Sequence, residues 1–164
     1  MIYTDQTLYL QTLQQLQAAG IQYCVIGTFG LGLYNADFLL YSVTDCDLIV
    51  KNEAENLNKL AKALQELHWQ LYLWEEPVMY PLPLEELAGK YYIRARQQEA
   101  ILDATYEYES ISWSTFEEQI NYIEGIPVAS MNHILYMKKR RNLEKDRQVV
   151  EHVEALLSNR NIVK

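Results

Sequence analysis

The stretch Val25-Ile26-Gly27-Thr28, followed downstream by Thr44-Asp45-Cys46-Asp47-Leu48-Ile49-Val50, decides how the chain reads. An apolar run ends in a glycine and a small hydroxyl residue. A second apolar run opens with two aspartates one residue apart. Side chains on a strand alternate faces, so Asp45, Asp47 and Ile49 share one face, and Cys46, Leu48 and Val50 the other. Two carboxylates about 7 Å apart at Cα on one strand face repel each other. Cations relieve that repulsion. Magnesium takes one or two carboxylates together with substrate phosphates. A pair of such ions clamps the attacking and leaving oxygens of a phosphoryl-type displacement. The plainer reading of an Asp-x-Asp at a strand mouth is a solvated turn, because aspartate is mostly exposed.

Working outward, the chain alternates short apolar runs with amphipathic ones. A first helix is expected over 5–19, with Asp5 as cap, a stripe of Leu10, Leu13 and Leu16 or Gln17, and Gly20 as stop. The uncharged run 21–26 reads as a buried strand. A short helix over 28–34 follows despite Gly30 and Gly32, which permit close approach of a neighbour or ligand. A loop over 35–44 leads into the strand 45–50. Asn52 is expected to cap a helix through Leu67, with Leu57, Leu60, Leu64 and Leu67 inward and Glu53, Glu55, Lys59, Lys62 and Glu66 outward.

A strand over 69–74 precedes a long loop, 75–89, in which Pro77, Pro81 and Pro83 break regular structure, apart from a helical turn over 84–88. Two antiparallel strands, 91–96 and 99–106, join at Gln97-Gln98. That turn would set Arg96 opposite Glu99, Arg94 opposite Ile101 and Tyr92 opposite Asp103, with Arg94, Arg96 and Asp103 on one face. A short helix is expected over 114–118. Glu124-Gly125 joins two short strands. Ser130 caps a helix through Arg141, and Asn142 restarts a final helix with the stripe Val149, Val153 and Leu156. This order predicts an α+β fold, a mixed β-sheet with helices mainly on one face. One domain over 1–164 is expected, with a core over about 5–130 and a C-terminal helical pair over about 131–158.

Bulk properties narrow the function. A length of 164 residues suits one domain that buries about two thirds of its unfolded surface. The net charge of −8 argues against a broad nucleic-acid-binding face. No signal-peptide pattern and no run near the roughly 20 residues of a membrane span are present, so a cytoplasmic protein without a membrane anchor is expected. Cys24 and Cys46 fall in predicted strands and read as small buried hydrophobes. His68, His133 and His152 lack metal spacing and read as structural or surface residues. The chain has 13 tyrosines, several of them between Tyr72 and Tyr108. They line half-exposed strand faces or form a stacking surface for a base or an aromatic partner.

Together, Val25-Ile26-Gly27-Thr28, a helical segment and Asp45-Cys46-Asp47-Leu48 resemble the signature of the polymerase β-like nucleotidyltransferase superfamily, and most its small single-domain bacterial (minimal nucleotidyltransferase-like) members. The C-terminal run Gly125-Ile126-Pro127-Val128-Ala129-Ser130, then Leu135, Lys138 and Lys145-Asp146, resembles the ending of those proteins. The resemblance covers roughly 13–157. It implies that Gly27 lets the backbone approach phosphate and that Thr28 offers its hydroxyl and N–H at a helix N-terminus. It implies that Asp45 and Asp47 bind two magnesium ions. Asp103, in the apolar context Ile101-Leu102-Asp103-Ala104, would be the third carboxylate. It would bind the catalytic ion and orient or deprotonate a hydroxyl. Glu99 and Glu107 are weaker candidates for that role. Lys138, with Lys139, Arg140 or Arg141, would neutralise a triphosphate such as that of ATP, although at least two of these four cations read as solvated helix surface.

The implied activity is transfer of a nucleoside monophosphate from a nucleoside triphosphate to a hydroxyl, on a small molecule or a protein, with pyrophosphate leaving. Two departures stand out. Residues 29–44 contain neither Lys nor Arg, where the family often has a basic residue, and position 28 is threonine. The missing basic residue favours the alternative expectation, a catalytically silent interaction protein on the same scaffold, such as one half of a toxin–antitoxin pair with a protein partner.

Overall fold

The computed structural model describes the backbone of residues 2–109 and 111–163, and the side chains of residues 6–109 and 111–159. Six helices accompany eight strands: α1 (Ile2–Ala18), β1 (Tyr23–Ile26), α2 (Gly27–Tyr34), β2 (Cys46–Val50), α3 (Ala54–Glu66), β3 (Gln70–Leu73), β4 (Glu76–Val78), β5 (Tyr92–Gln97), β6 (Ala100–Thr105), α4 (Trp113–Glu118), β7 (Asn121–Ile123), β8 (Ile126–Val128), α5 (Met131–Arg141) and α6 (Glu144–Val163). The strands form one mixed sheet in the order β4-β3-β5-β6-β2-β1-β8-β7. Only the β1–β8 and β2–β6 pairs are parallel. This is the expected α+β layout.

The core forms because each amphipathic element turns its apolar side to this sheet. Leu13 and Leu16 of α1 and Leu57, Leu60 and Leu64 of α3 are buried, while the charged residues of α3 point outward. Along β5 and β6 the alternation is plain: Ile93, Ala95, Leu102 and Ala104 are buried, and Tyr92, Arg94, Ile101 and Asp103 on the opposite face are half-buried. Tyr9 of α1 stacks on Trp69, whose indole N–H donates to Thr12 Oγ1 (3.1 Å), so α1 closes over the start of β3. Buried Asn56 ties α3 to the β1–β2 edge: it accepts from Gln22 N and donates to the carbonyls of Gln22 and Lys51. Cys24 and Cys46 are free and buried, as expected.

Several local expectations need correction. Asn52 does not cap α3; Glu53 holds the N-cap position without a side-chain hydrogen bond and pairs instead with Lys51 (3.0 Å). α1 already runs from Ile2, and the expected capping side chain of Asp5 lies outside the described side chains. The segment after β3 is not wholly irregular, because β4 pairs with β3 as the sheet's edge, where Pro77 is tolerated. The β5–β6 turn is Gln98-Glu99, with Gln98 left-handed at φ 54°, rather than Gln97-Gln98. Arg94 therefore faces Asp103, and Arg96 faces Ile101. The shift is two residues along β6, so the expected face assignments survive.

Candidate functional site

The site forms where β1 ends and β2 begins, beside α2 and the C-terminal helices. Gly27 takes φ +70°, a left-handed value that favours glycine, and this turns the chain from β1 straight into α2. A Cβ here would stand 3.0 Å from Asp47 Oδ2, so the glycine also leaves room for that carboxylate. Gly30, one turn on, sits against Ile134 of α5, where a Cβ would lie 3.0 Å from Cδ1. The two glycines thus serve different contacts: one a carboxylate, the other helix packing. No side chain caps the N-terminus of α2. Its first-turn N–H groups and helix dipole favour an anion there.

A cleft of about 310 Å³ opens at this point. Gly27, Thr28, Asp45 and Asp47 line one wall, and Lys138, Arg141, Lys145 and Asp146 the facing one. Lys138 Nζ donates to Thr28 Oγ1 (3.0 Å) and lies 4.0 Å from Asp146 Oδ1. Buried Asp146 is held by Arg141 through Nε to Oδ2 (2.8 Å) and Nη2 to Oδ1 (2.5 Å), and by the Leu143 N–H (3.1 Å). The Arg141 hydrogen bonds hold its carboxyl below the ordinary value, against the opposing effect of burial. Burial pulls the Lys138 ammonium down, with Asp146 resisting. Asp146 is thereby a structural anchor that aims two cations at the cleft.

Asp47 is in the opposite situation. Burial, then the charges of Asp45 and Asp103, push its carboxyl up to about 7, against weaker help from Arg141 and Lys138. No ion pair reaches Asp45 or Asp47 among the described residues. Asp103 of β6 stands directly beside Asp47 of β2, in register. Both its oxygens are taken by Arg94 of β5: Nε to Oδ1 at 2.8 Å and Nη2 to Oδ2 at 2.9 Å.

These facts bear on magnesium. The Asp45–Asp47 pair suits a divalent ion, since no ion pair reaches either carboxylate among the described residues and the N-terminus of α2 and Lys138, which favour anions, stand in the same cleft. Two carboxylates completed by substrate phosphates is magnesium's preferred environment. Among the described residues, no group of three His, Cys, Asp or Glu side chains gathers closely enough to hold an ion from the protein alone.

The predicted site residues Gly27, Thr28, Asp45, Asp47 and Lys138 all meet at this one cleft. Asp103 lies beside it on the sheet rather than in its lining. Of the four-cation run, Lys138 and Arg141 face inward, as an i, i+3 spacing requires, while Lys139 pairs with Glu154 on the surface and Arg140 is exposed. Glu107 accepts from the Gly89 and Tyr91 N–H groups and Glu99 is exposed at the hairpin turn, so neither approaches the site. His152 Nε2 lies 2.8 Å from the Asp37 carbonyl, and His133 packs on Phe116.

Tyr41 and Ser42 line the cleft and were not singled out from the sequence, and Lys145, quoted there with Asp146 only for its resemblance, lines it as well. Lys145 lies 5.1 Å from the Tyr41 ring centroid, and the Tyr41 hydroxyl donates to Gln148. The signal for these residues was faint: the absence of Lys and Arg over 29–44 is met by cations that α5 and α6 bring in from the opposite wall.

No protein-family model matches the chain, and no significant match is found among curated proteins. Solved structures do match. The solution structure of the antibiotic-resistance factor ANT(2'')-Ia is 15% identical and superposes with a TM-score of 0.62, over 96% of this chain and 86% of that one. TM1012, a candidate nucleotidyltransferase of Thermotoga maritima, is 14% identical with a TM-score of 0.51, over 94% of both chains. At these identities the likenesses show a shared fold: the chain has the fold of ANT(2'')-Ia and of TM1012.

Proposed function

We propose that the protein transfers a nucleoside monophosphate from a nucleoside triphosphate to a hydroxyl acceptor, with magnesium held by Asp45 and Asp47. One observation carries this reading. Within a single cleft, the uncapped N-terminus of α2 and Lys138 face two aspartates that no cation pairs among the described residues. A structural role gives no reason to keep two half-buried carboxylates without an ion pair opposite an open anion site.

The residues divide the work. The first turn of α2 and the Thr28 hydroxyl bind phosphate oxygens, and Lys138 and Arg141 neutralise their charge. Asp45 and Asp47 fix magnesium, which supplies Lewis-acid stabilisation of the phosphate oxygens. Asp103 orients the acceptor hydroxyl and accepts its proton. The acceptor oxygen bonds to the α-phosphorus as the bond from that phosphorus to the pyrophosphate oxygen breaks. Pyrophosphate leaves with the bonding pair. Positioning and charge stabilisation supply most of the rate gain. Tyr41 and Lys145 at the cleft rim, with the apolar Val43 and Val149, provide the surface for the rest of the nucleotide.

The second reading, a catalytically silent interaction protein, draws support from the capture of both Asp103 oxygens by Arg94. Thermal unfolding of the wild type and of Asp47→Asn, with each nucleoside triphosphate and magnesium, separates the two. A ligand at 100 times its dissociation constant stabilises by about 2.7 kcal/mol. A magnesium-dependent shift in the wild type that is lost in Asp47→Asn is the expected result. No shift with any triphosphate at millimolar concentration favours the silent protein.

A further inference from the structure

Arg94 and Asp103 form part of a row that crosses the sheet. Tyr72 of β3 pairs with Arg94 of β5, Arg94 with Asp103 of β6, Asp103 with Asp47 of β2, and Asp47 with Ile26 of β1. The row joins the half-exposed face of the β3–β5–β6 wing to the mouth of the cleft. Its two carboxylates are neighbours on one face with different company. Asp47 has no cation within ion-pair distance among the described residues, whereas a planar guanidinium engages both Asp103 oxygens. That fork is itself held in place. The Arg94 guanidinium lies 5.7 Å from the Tyr92 ring centroid, and Asp103 is only 14% exposed.

A carboxylate offers about four lone-pair positions, and a bidentate guanidinium fills two of them. Two remain, one on each oxygen. A hydroxyl donor can use these. A divalent cation there would stand within a few ångströms of a fixed positive charge, and that repulsion offsets its attraction to the carboxylate. The same argument does not touch Asp45 and Asp47.

We propose that Arg94 is a positioning residue that withholds Asp103 from the metal at Asp45 and Asp47 and reserves it for the attacking hydroxyl. The part concerning the hydroxyl rests on the nucleotidyl-transfer reading; the part concerning the metal stands apart from it. The consequence is a division of labour among three aspartates on adjacent strands, set by one arginine on the far side of β6.

The test is a titration of manganese alone into the full chain, followed by the electron paramagnetic resonance signal of the free ion. Wild type, Asp47→Asn, Arg94→Met, Arg94→Lys, Asp103→Asn and the double variant Arg94→Met/Asp103→Asn are compared. Arg94→Met should bind manganese at least about tenfold more tightly, because it frees a carboxylate beside Asp47. The double variant should return to the wild-type affinity, and Arg94→Lys, which keeps the charge, should stay near it. Asp103→Asn alone should change the affinity by less than about twofold. The proposal is overturned if Arg94→Met binds no more tightly than wild type, or if Asp103→Asn loses as much affinity as Asp47→Asn. Should Arg94→Met not fold, the comparison of Asp103→Asn with Asp47→Asn decides alone. In a parallel arm with magnesium and the triphosphate, Asp103→Asn should keep the wild-type thermal shift while pyrophosphate release falls about a hundredfold. Absence of any triphosphate shift in the wild type sinks the transfer reading, and the manganese series still decides the role of Arg94.

Discussion

Two aspartates of one cleft, Asp146 buried and Asp47 half-buried, show what a partner does to a carboxylate. Asp146, at the start of α6, is 1% exposed and accepts from Arg141 and the Leu143 N–H, with Lys138 nearby. Its carboxyl is held low and it stays ionised. Asp47, at the mouth of β2, has other carboxylates for neighbours, and its carboxyl rises to about 7. Burial alone would push both upward. The arginine decides the outcome for one, and no such partner reaches the other among the described residues. Asp146 therefore supports the fold, while Asp47 is a burden on it.

That contrast can be broken most directly at Asp146. Replacing it by Ala leaves Lys138 buried without its counter-ion and removes the acceptor for the Leu143 N–H. Loss of one partner of a buried pair costs about 3–5 kcal/mol. Arg141 is 61% exposed at its side chain and can return to solvent, so about 3 kcal/mol is expected. Urea unfolding at pH 7 measures it. A loss below about 1 kcal/mol would put Asp146 outside the fold's supports.

Asp47→Asn should act with the opposite sign. A carboxyl whose folded pKa lies above its unfolded value contributes stability that is complete below about pH 4 and is lost as pH rises through about 7. The ionised wild type at pH 8 is thus destabilised in the absence of metal. The shift from 3.8 to about 7 sets an upper bound of about 4 kcal/mol, and partial solvent access reduces the expected gain in Asp47→Asn to about 2 kcal/mol. Unfolding curves from pH 4 to 8 should show the variant's advantage growing across that window and then levelling. An advantage that is flat with pH would mean that Asp47 carries no such burden.

A smaller effect sharpens the comparison at Gly27. Its left-handed φ alone makes Gly27→Ala cost about 1–2 kcal/mol, and the new methyl meets Asp47 Oδ2. If Asp47 is mobile and can move aside, the loss should fall to the low end, and the double variant Gly27→Ala/Asp47→Asn should show additive effects. If the carboxylate is fixed in place, the two should couple by more than about 0.5 kcal/mol in a double-mutant cycle.

Much of this architecture was legible in the chain. The leucine stripe of α3, the Ser130 cap (Oγ accepting from His133 N at 3.1 Å) and the Glu124-Gly125 turn are short-range signals, and each stands where expected. The hairpin register was not legible. Gln97-Gln98-Glu99 lacks the Asn-Gly or Asp-Gly preference that pins a two-residue turn, so two adjacent placements are locally equivalent. Packing against β3 and β6 chose between them, and with that choice Arg94 met Asp103. The expected cap at Asn52 failed for a similar reason: a local preference of about 1 kcal/mol yields easily to a tertiary arrangement.

Local patterns in the chain specify most of the elements, the sharing of one face by Asp45 and Asp47, and the small-residue turn at Gly27-Thr28. These follow from strand period, helix period and backbone sterics, all of which act within a few residues. Only the tertiary structure decided which charge each carboxylate meets. Arg141 took Asp146 and Arg94 took Asp103, while Asp47 was left with other carboxylates. Coulomb interactions depend on distance through space, and the partners of Asp47 come from strands and helices up to about a hundred positions away along the chain. No pattern of spacing carries that information until the sheet order and the hairpin register are set.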